Sequence, residues 1–267
     1  MVKIPKKVSE RLKKEIVSFQ KILAAAKDRD VHESDTVTII IDMLCNIFGF
    51  DKFTELTSEQ AIRGTYCDLA IKLEGKTRFL TEVKAIGLTL KENHLRQAIG
   101  YGATNGIPWV VLTNGIDWEI YKIRFEQPVN FDLVCSFNFL ELSTRKQEDL
   151  DKVFLLCKEG IEKSAIDEFH DHLQSVNRFI ISAVIQSNPI VSAIRRELKK
   201  ISEGVKVTEE EILNILNAEV LKRDVVQGEQ ALDAITRLKK AQKKQLRKKT
   251  PSTDAENASH IDITSEQ

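Results

Sequence analysis

The stretch YCDLAIKLEGKTRFLTEVKA, residues 66–85, decides the fold. Tyr66 to Leu73 has the two-residue period of a strand, Glu74-Gly75-Lys76 is a turn signal, and Arg78 to Ala85 reads as the returning strand. Side chains alternate across a strand, so Glu82 and Lys84 share one face and Val83 takes the other. On the first strand Asp68 shares its face with Ala70 and Lys72, whereas Cys67, Leu69 and Ile71 point away. Pairing through the turn brings Asp68 and Glu82 together near one end of the hairpin.

Two carboxylates at that separation repel one another unless a cation bridges them. An oxygen-rich site with water ligands and an open side suits Mg²⁺ or Mn²⁺. A lysine beside it can orient a water or stabilise charge developing in phosphodiester cleavage. A Glu-x-Lys on an exposed strand is ordinarily a surface charge pair. Here, however, Glu82 lies among Phe79, Leu80, Val83 and Ala85, where an unpaired charge is costly and tends to be functional.

Working outward, Val8, Leu12, Ile16, Phe19 and Leu23 recur at helical spacing and predict an N-terminal helix with lysines opposite. A second helix is predicted over Glu33 to Phe48, stopped by Gly49, with Val37, Ile40, Ile41, Leu44 and Phe48 on one face. Downstream of the hairpin comes a helix over about 91–104, then a strand over 108–113. An Asn114-Gly115 turn follows, and a further strand runs over 118–125. The order is mixed α/β.

After Leu142 only helical patterns remain. Thr144 with Gln147, and Thr208 with Glu211, are capping-box signatures. Helices are predicted from 144 through Leu156, over 164–186, 190–202 and 208–222, and from Val225 to Lys249, with Pro189 and Gly204 as separators. Residues 250–267 lack an apolar period and read as disordered. The expected division is therefore a domain at 1–143, a helical region at 144–236, and a basic segment with tail at 237–267.

The 267 residues carry 40 Lys+Arg against 40 Asp+Glu, 42% hydrophobic and 30% charged, values of an ordinary globular protein. The balance sums unlike blocks. Residues 1–144 hold 19 basic and 19 acidic side chains, residues 145–236 hold 13 and 17, and residues 237–249 hold 8 and none. Two readings of that last run stand side by side: a solvated helix end, and a sequence-independent phosphate contact to which basic Met1–Lys14 can add. Cys45, Cys67, Cys135 and Cys157 have no metal or redox spacing and read as small buried hydrophobes in a reducing compartment. With neither a secretory signal pattern nor a long apolar run, the expected location is the cytoplasm, without a membrane partner.

Asp68 followed by Glu82-Val83-Lys84 resembles the core of the PD-(D/E)xK nuclease superfamily. From Glu33 to Ile123 the chain is similar to the nuclease domain at the N-terminus of type I restriction enzyme motor subunits. The similarity is carried by GTYCDLAI (64–71), FLTEVKA (79–85), RQAIGYGATNGIPWVVLTNG (96–115) and WEIYKI (118–123). Gln97 and Tyr101 match the Q-x-x-x-Y motif of the RecB-like branch, and at i and i+4 they share one helix face. One departure is Cys67, which stands where the family pattern has proline.

The resemblance implies a restriction-endonuclease-like core, a central mixed β-sheet flanked by helices, followed by an all-helical C-terminal region. It implies that Asp68 and Glu82 bind Mg²⁺ or Mn²⁺, with the Val83 carbonyl as a further ligand and Glu33 as an added carboxylate. Lys84 would position the nucleophilic water, and Gln97 with Tyr101 would support the metal shell or contact DNA backbone. The implied function is metal-dependent endonucleolytic hydrolysis of DNA in restriction or phage defence; the residues do not separate DNA from RNA. The alternative is a non-cleaving nucleic-acid-binding or assembly module on the same fold. Apolar faces on the C-terminal helices suit self-association or assembly with other subunits of a defence system. Glu33 also suits the N-terminus of its helix as a first-turn acid. His94, three residues before Gln97, reads as a solvated helix residue.

Other motifs fall away. Gly75-Lys76-Thr77 resembles the end of a phosphate-binding loop, but Ala70 stands where a glycine is needed, so no ATP site is encoded. His170 and His172, two apart on a predicted helix, face different directions. Trp109, Trp118 and Tyr121 read as hairpin core.

Overall fold

The computed structural model describes residues 2–58, 67–201, 204 and 206–249, the stretch 244–249 through its backbone alone. Tyr66 and the tail 250–267 lie outside the described residues. The chain divides into two compact units, Met1–His172 and Leu173–Gln267. Architecturally it is α/β, with N-terminal helices, a six-stranded mixed sheet and an all-helical C-terminal region.

In the first unit, α1 (Lys6–Asp28) buries Val8, Leu12, Ile16, Phe19, Leu23 and Ala26, the stripe that the helical period predicts. The helix α2 (Glu33–Asn46) buries Ile40, Met43 and Leu44, and Gly49 follows at φ +85°. The sheet comprises β1 (Leu56–Ser58), β2 (Leu69–Leu73), β3 (Lys76–Val83), β4 (Trp109–Thr113), β5 (Asp117–Arg124) and β6 (Asn130–Asn138), in that spatial order. Only β3 and β4 are parallel, as expected for strands joined by a helix, here α3 (Arg96–Asn105). The β2–β3 turn places Glu74 at φ +52° and Gly75 at φ +74°, the double positive φ of a type I′ hairpin.

The sheet sorts its side chains into two cores. Leu69, Ile71, Phe79, Val83, Val111, Trp118 and Ile120 pack with α1 and α2. Cys67, Ala70, Leu80, Val110, Leu112, Tyr121 and Ile123 pack against α3 residues Ala98, Ile99 and Tyr101. Both tryptophans are buried, as expected of hairpin core, but Tyr121, three residues after Trp118 on β5, lies on the other face by strand alternation. Gly102 makes the close approach of α3 possible. A Cβ there would lie 2.5 Å from Ile123 Cδ1 and 3.0 Å from the Ile107 carbonyl.

Several local expectations change. Strands β1 and β6 have no counterpart in the sequence reading: β1 is three residues long, and β6 is an edge strand with polar residues at both ends. Thr144 does not cap the next helix. That helix, α4 (Gln147–Phe154), begins after Lys146, and the Asp149 side chain instead accepts the Ser143 N–H. With α5 (Lys158–Glu162), whose Ile161 packs against it, α4 extends the first core through Leu150, Val153 and Phe154, so helices beyond residue 143 belong to the first unit.

The division between units falls within α6 (Ala165–Ser175). The single helix expected over 164–186 is broken by Asn177, whose side chain caps α7 (Arg178–Ile185). Next come α8 (Asn188–Ile201) and α9 (Glu209–Ile215), the latter opened by the Thr208–Glu211 capping box that the sequence predicts. A π-turn over Leu216–Val220, a short α10 (Arg223–Val226) and α11 (Glu229–Lys249) complete the unit. Val191, Ile212 and Leu216 form its small core. Among the described residues no helix is long and apolar enough to cross a membrane.

Candidate active site

The site is built at the C-terminal end of β3. Leu69 pairs with Thr81, which sets Asp68 opposite Glu82. Asp68 itself lies in a bend before β2, and its Oδ2 accepts the Val83 N–H at 2.7 Å. That bend breaks the alternation expected for this strand. Cys67 joins the α3-side core with Ala70, whereas Leu69 and Ile71 face the other core. The Cys67 thiol lies 3.3 Å from the Thr81 carbonyl and 3.5 Å from that of Leu69. Burial, reinforced by the nearby Glu82 and Asp68 charges, pushes this thiol up to about 12, so it stays protonated and inert.

Glu82 and Lys84 project from the same face, as the strand period requires. Lys84 Nζ donates to Glu82 Oε1 at 2.7 Å and to the Val83 carbonyl at 2.9 Å, and stands 3.6 Å from Glu33 Oε2. The parallel neighbour holds the strand end in place, because the Lys84 N–H donates to the Thr113 carbonyl at 2.8 Å. One residue further along, the Asn114 side chain donates to the Leu88 carbonyl at 2.9 Å and ties down the loop after β3. Thr113 and Asn114 were not foreseen as site supports. The Asn-Gly pair announces a turn, and its second role depends on the β3–β4 pairing.

Two carboxylates, Glu82 and Glu33, thus share one ammonium, with the Asp68 charge nearby. Glu82 is 7% exposed, and burial pushes its carboxyl above the ordinary value, opposed by the Lys84 hydrogen bond and aided by the charges of Asp68 and Glu33. Burial alone would lower Lys84, but its bond to Glu82 and the surrounding negative charges outweigh that and hold it protonated. Glu33 occupies the first turn of α2, as its helix-terminus reading expects, and its carboxylate also reaches to 3.6 Å from Lys84 Nζ.

Asp68, Glu82, Val83, Lys84 and Glu33 are therefore brought together. Tyr101 is buried in the α3-side core, its phenol pushed up by burial with a smaller contribution from Cys67, while Gln97 is exposed one turn earlier on the same helix. His94 caps the turn entering α3, its Nδ1 accepting the Lys91 N–H at 3.3 Å. His170 and His172 diverge: His170 stands edge-on to Trp109, and His172 is exposed.

A further carboxylate went unnoticed in the sequence. Glu82 pairs with Leu112, and Leu112 pairs with Glu119, so the row from Asp68 continues across the sheet to Glu119. Glu119 Oε2 accepts the Tyr121 hydroxyl at 2.6 Å.

Among the described residues no three His, Cys, Asp or Glu side chains form a ready metal cage. The donor chemistry nonetheless suits a hard divalent ion. The oxygens that Lys84 Nζ meets among the described residues are those of Glu82, Glu33 and the Val83 carbonyl, so a protein cation already sits among hard donors. Comparison of the chain with protein families, characterised proteins and solved structures finds no match.

Proposed function

We propose that this chain is a Mg²⁺- or Mn²⁺-dependent endonuclease that hydrolyses DNA phosphodiester bonds. Its first unit would be a restriction-endonuclease-like core, acting in the cytoplasm in restriction or phage defence. The observation that carries the reading is the convergence of Glu82, the Val83 carbonyl and Glu33 on the Lys84 ammonium at one strand end, with Asp68 held beside them on the Val83 N–H. In the first unit's sequence, the order of these residues and of Gln97 and Tyr101 is the order that the nuclease resemblance requires.

Asp68, Glu82 and the Val83 carbonyl would hold the ion, with Glu33 as an outer carboxylate. When bound, the ion supplies Lewis-acid polarisation of the phosphodiester and a more acidic water. Lys84 orients the attacking water and donates to the phosphoryl oxygen on which negative charge grows. Burial of Glu82 strengthens each of these interactions by lowering the local dielectric. Gln97, exposed on α3, would contact the DNA backbone. Tyr101 acts from beneath, as packing that fixes the helix.

The test is incubation of the full chain with single- and double-stranded DNA in Mg²⁺ or Mn²⁺, with and without a chelator. Cleavage that the chelator abolishes is the expected result. DNA binding with no chelator-sensitive cleavage supports a second reading, the non-cleaving module. One observation favours that module: Lys84 pairs with Glu82 and Glu33 without a metal. An RNA substrate in the same assay separates the two nucleic acids.

A further inference from the structure

Lys84 raises a question that the proposed chemistry leaves open. Its ammonium lies within hydrogen-bond distance of Glu82 Oε1 and the Val83 carbonyl and 3.6 Å from Glu33 Oε2. Those are three of the four groups that the proposed function assigns to the metal. The fourth, Asp68, is directed onto the Val83 N–H, one residue away. A divalent ion and the ammonium compete for these oxygens, because like charges brought close together repel in a partly buried site.

We propose, building on the reading above, that Lys84 is a tethered competitor of the divalent ion: it fills the oxygen nest until the metal displaces it. The backbone of Lys84 is fixed by its bond to the Thr113 carbonyl, so the exchange involves the flexible side chain alone. The arrangement keeps Glu82 neutralised and the strand end ordered while no metal is bound. It also makes metal affinity a property that Lys84 sets, with weak binding until a second anionic group, a nucleic-acid phosphate, offers the displaced ammonium a new partner. Entry of metal and entry of substrate then reinforce each other.

The experiment is calorimetric titration of Mn²⁺ into the full chain without nucleic acid. It compares wild type with Lys84→Gln, Lys84→Arg and Glu82→Gln, each checked for folding by circular dichroism. Lys84→Gln is expected to bind Mn²⁺ at least about tenfold more tightly than wild type. Lys84→Arg, which keeps the cation, should bind no more tightly than wild type, and Glu82→Gln should lose the site. Where Lys84→Gln does not fold, Lys84→Met, which retains the aliphatic stem, carries the same expectation. Equal or weaker Mn²⁺ binding by the neutral variants, or equally enhanced binding by Lys84→Arg, overturns the competition while leaving the metal site standing. Absence of Glu82-dependent Mn²⁺ binding in every protein removes the metal site itself and the competition with it.

Discussion

Asp68 and Val83 are joined across the open end of the β2–β3 hairpin, the Asp68 carboxylate accepting the Val83 N–H at 2.7 Å. A group assigned to metal binding thus also closes the backbone ladder, and the two roles separate by substitution. Asp68→Ala leaves that N–H without its partner and is expected to lower stability by about 1.5 kcal/mol. Asp68→Asn keeps an accepting oxygen and should stay within about 0.5 kcal/mol of wild type, although it has lost the charge. Urea unfolding of the three proteins, followed by circular dichroism, reads the difference.

The packing of α3 gives a second prediction. Gly102 leaves no room for a methyl group beside Ile123 and the Ile107 carbonyl. Gly102→Ala is expected to cost about 1–3 kcal/mol through overpacking. Because α3 carries both Gln97 and Tyr101, the variant should lose activity at temperatures where Asp68→Asn is still fully folded. Thermal unfolding and cleavage assays at two temperatures check this.

Arg11 and Glu159 form a bidentate pair, both hydrogen bonds at 2.8 Å, and Arg11 Nε also donates to the Ile47 carbonyl at 3.0 Å. The pair fastens α1 to α5 and to the end of α2. Burial works to raise the Glu159 carboxyl, but the Arg11 hydrogen bond and charge, aided by Lys158, hold it below the ordinary value. A depressed folded pKa means that the stabilisation is complete above the unfolded value, near 4.3, and is lost as pH falls through the folded one. Arg11→Ala should lose about 2 kcal/mol at neutral pH. Glu159→Gln should flatten the acid limb of the stability profile below about pH 4.3. Denaturant titrations between neutral and acid pH measure both.

Asn177 caps α7 through hydrogen bonds from the Phe179 and Ile180 N–H groups at 3.1 and 3.0 Å. Asn177→Ala is expected to cost about 1 kcal/mol. In the proposed division of labour it should leave the rate of DNA cleavage unchanged, since every residue assigned to the chemistry belongs to the first unit. Equal cleavage by wild type and variant, alongside the stability loss, is the outcome to look for.

That cap also shows where the sequence stopped being readable. The apolar period over 164–186 runs on through Asn177, and only the structure shows the side chain turned back onto two backbone N–H groups. Strands β2, β3 and β5 are legible from alternation and β4 from its unbroken apolar run, with two glycine turns marking the hairpins. β6 is not, since Asn130, Asp132, Ser136 and Asn138 dilute its pattern and, among the described residues, it is the last strand of the sheet. At the site, the period of two places Glu82 and Lys84 together, and the hairpin register places Asp68 opposite. Cys67 departs from that period because Asp68 lies in a bend rather than in the strand. Glu119 was hidden because its position in the row depends on two successive strand pairings. That Lys84 would sit among the acids, and not beside them, is set by side-chain torsions on which the sequence pattern is silent.

The central claim is that Glu82 and Asp68 carry metal-dependent phosphodiester hydrolysis. Its most direct test is single-turnover cleavage of double-stranded DNA in Mg²⁺ by wild type, Glu82→Gln and Asp68→Asn. The prediction is cutting by wild type and a loss of at least about 10²-fold in each variant, with folding intact by circular dichroism. Equal rates in all three proteins, or no cleavage by any of them in Mg²⁺ or Mn²⁺, would contradict it.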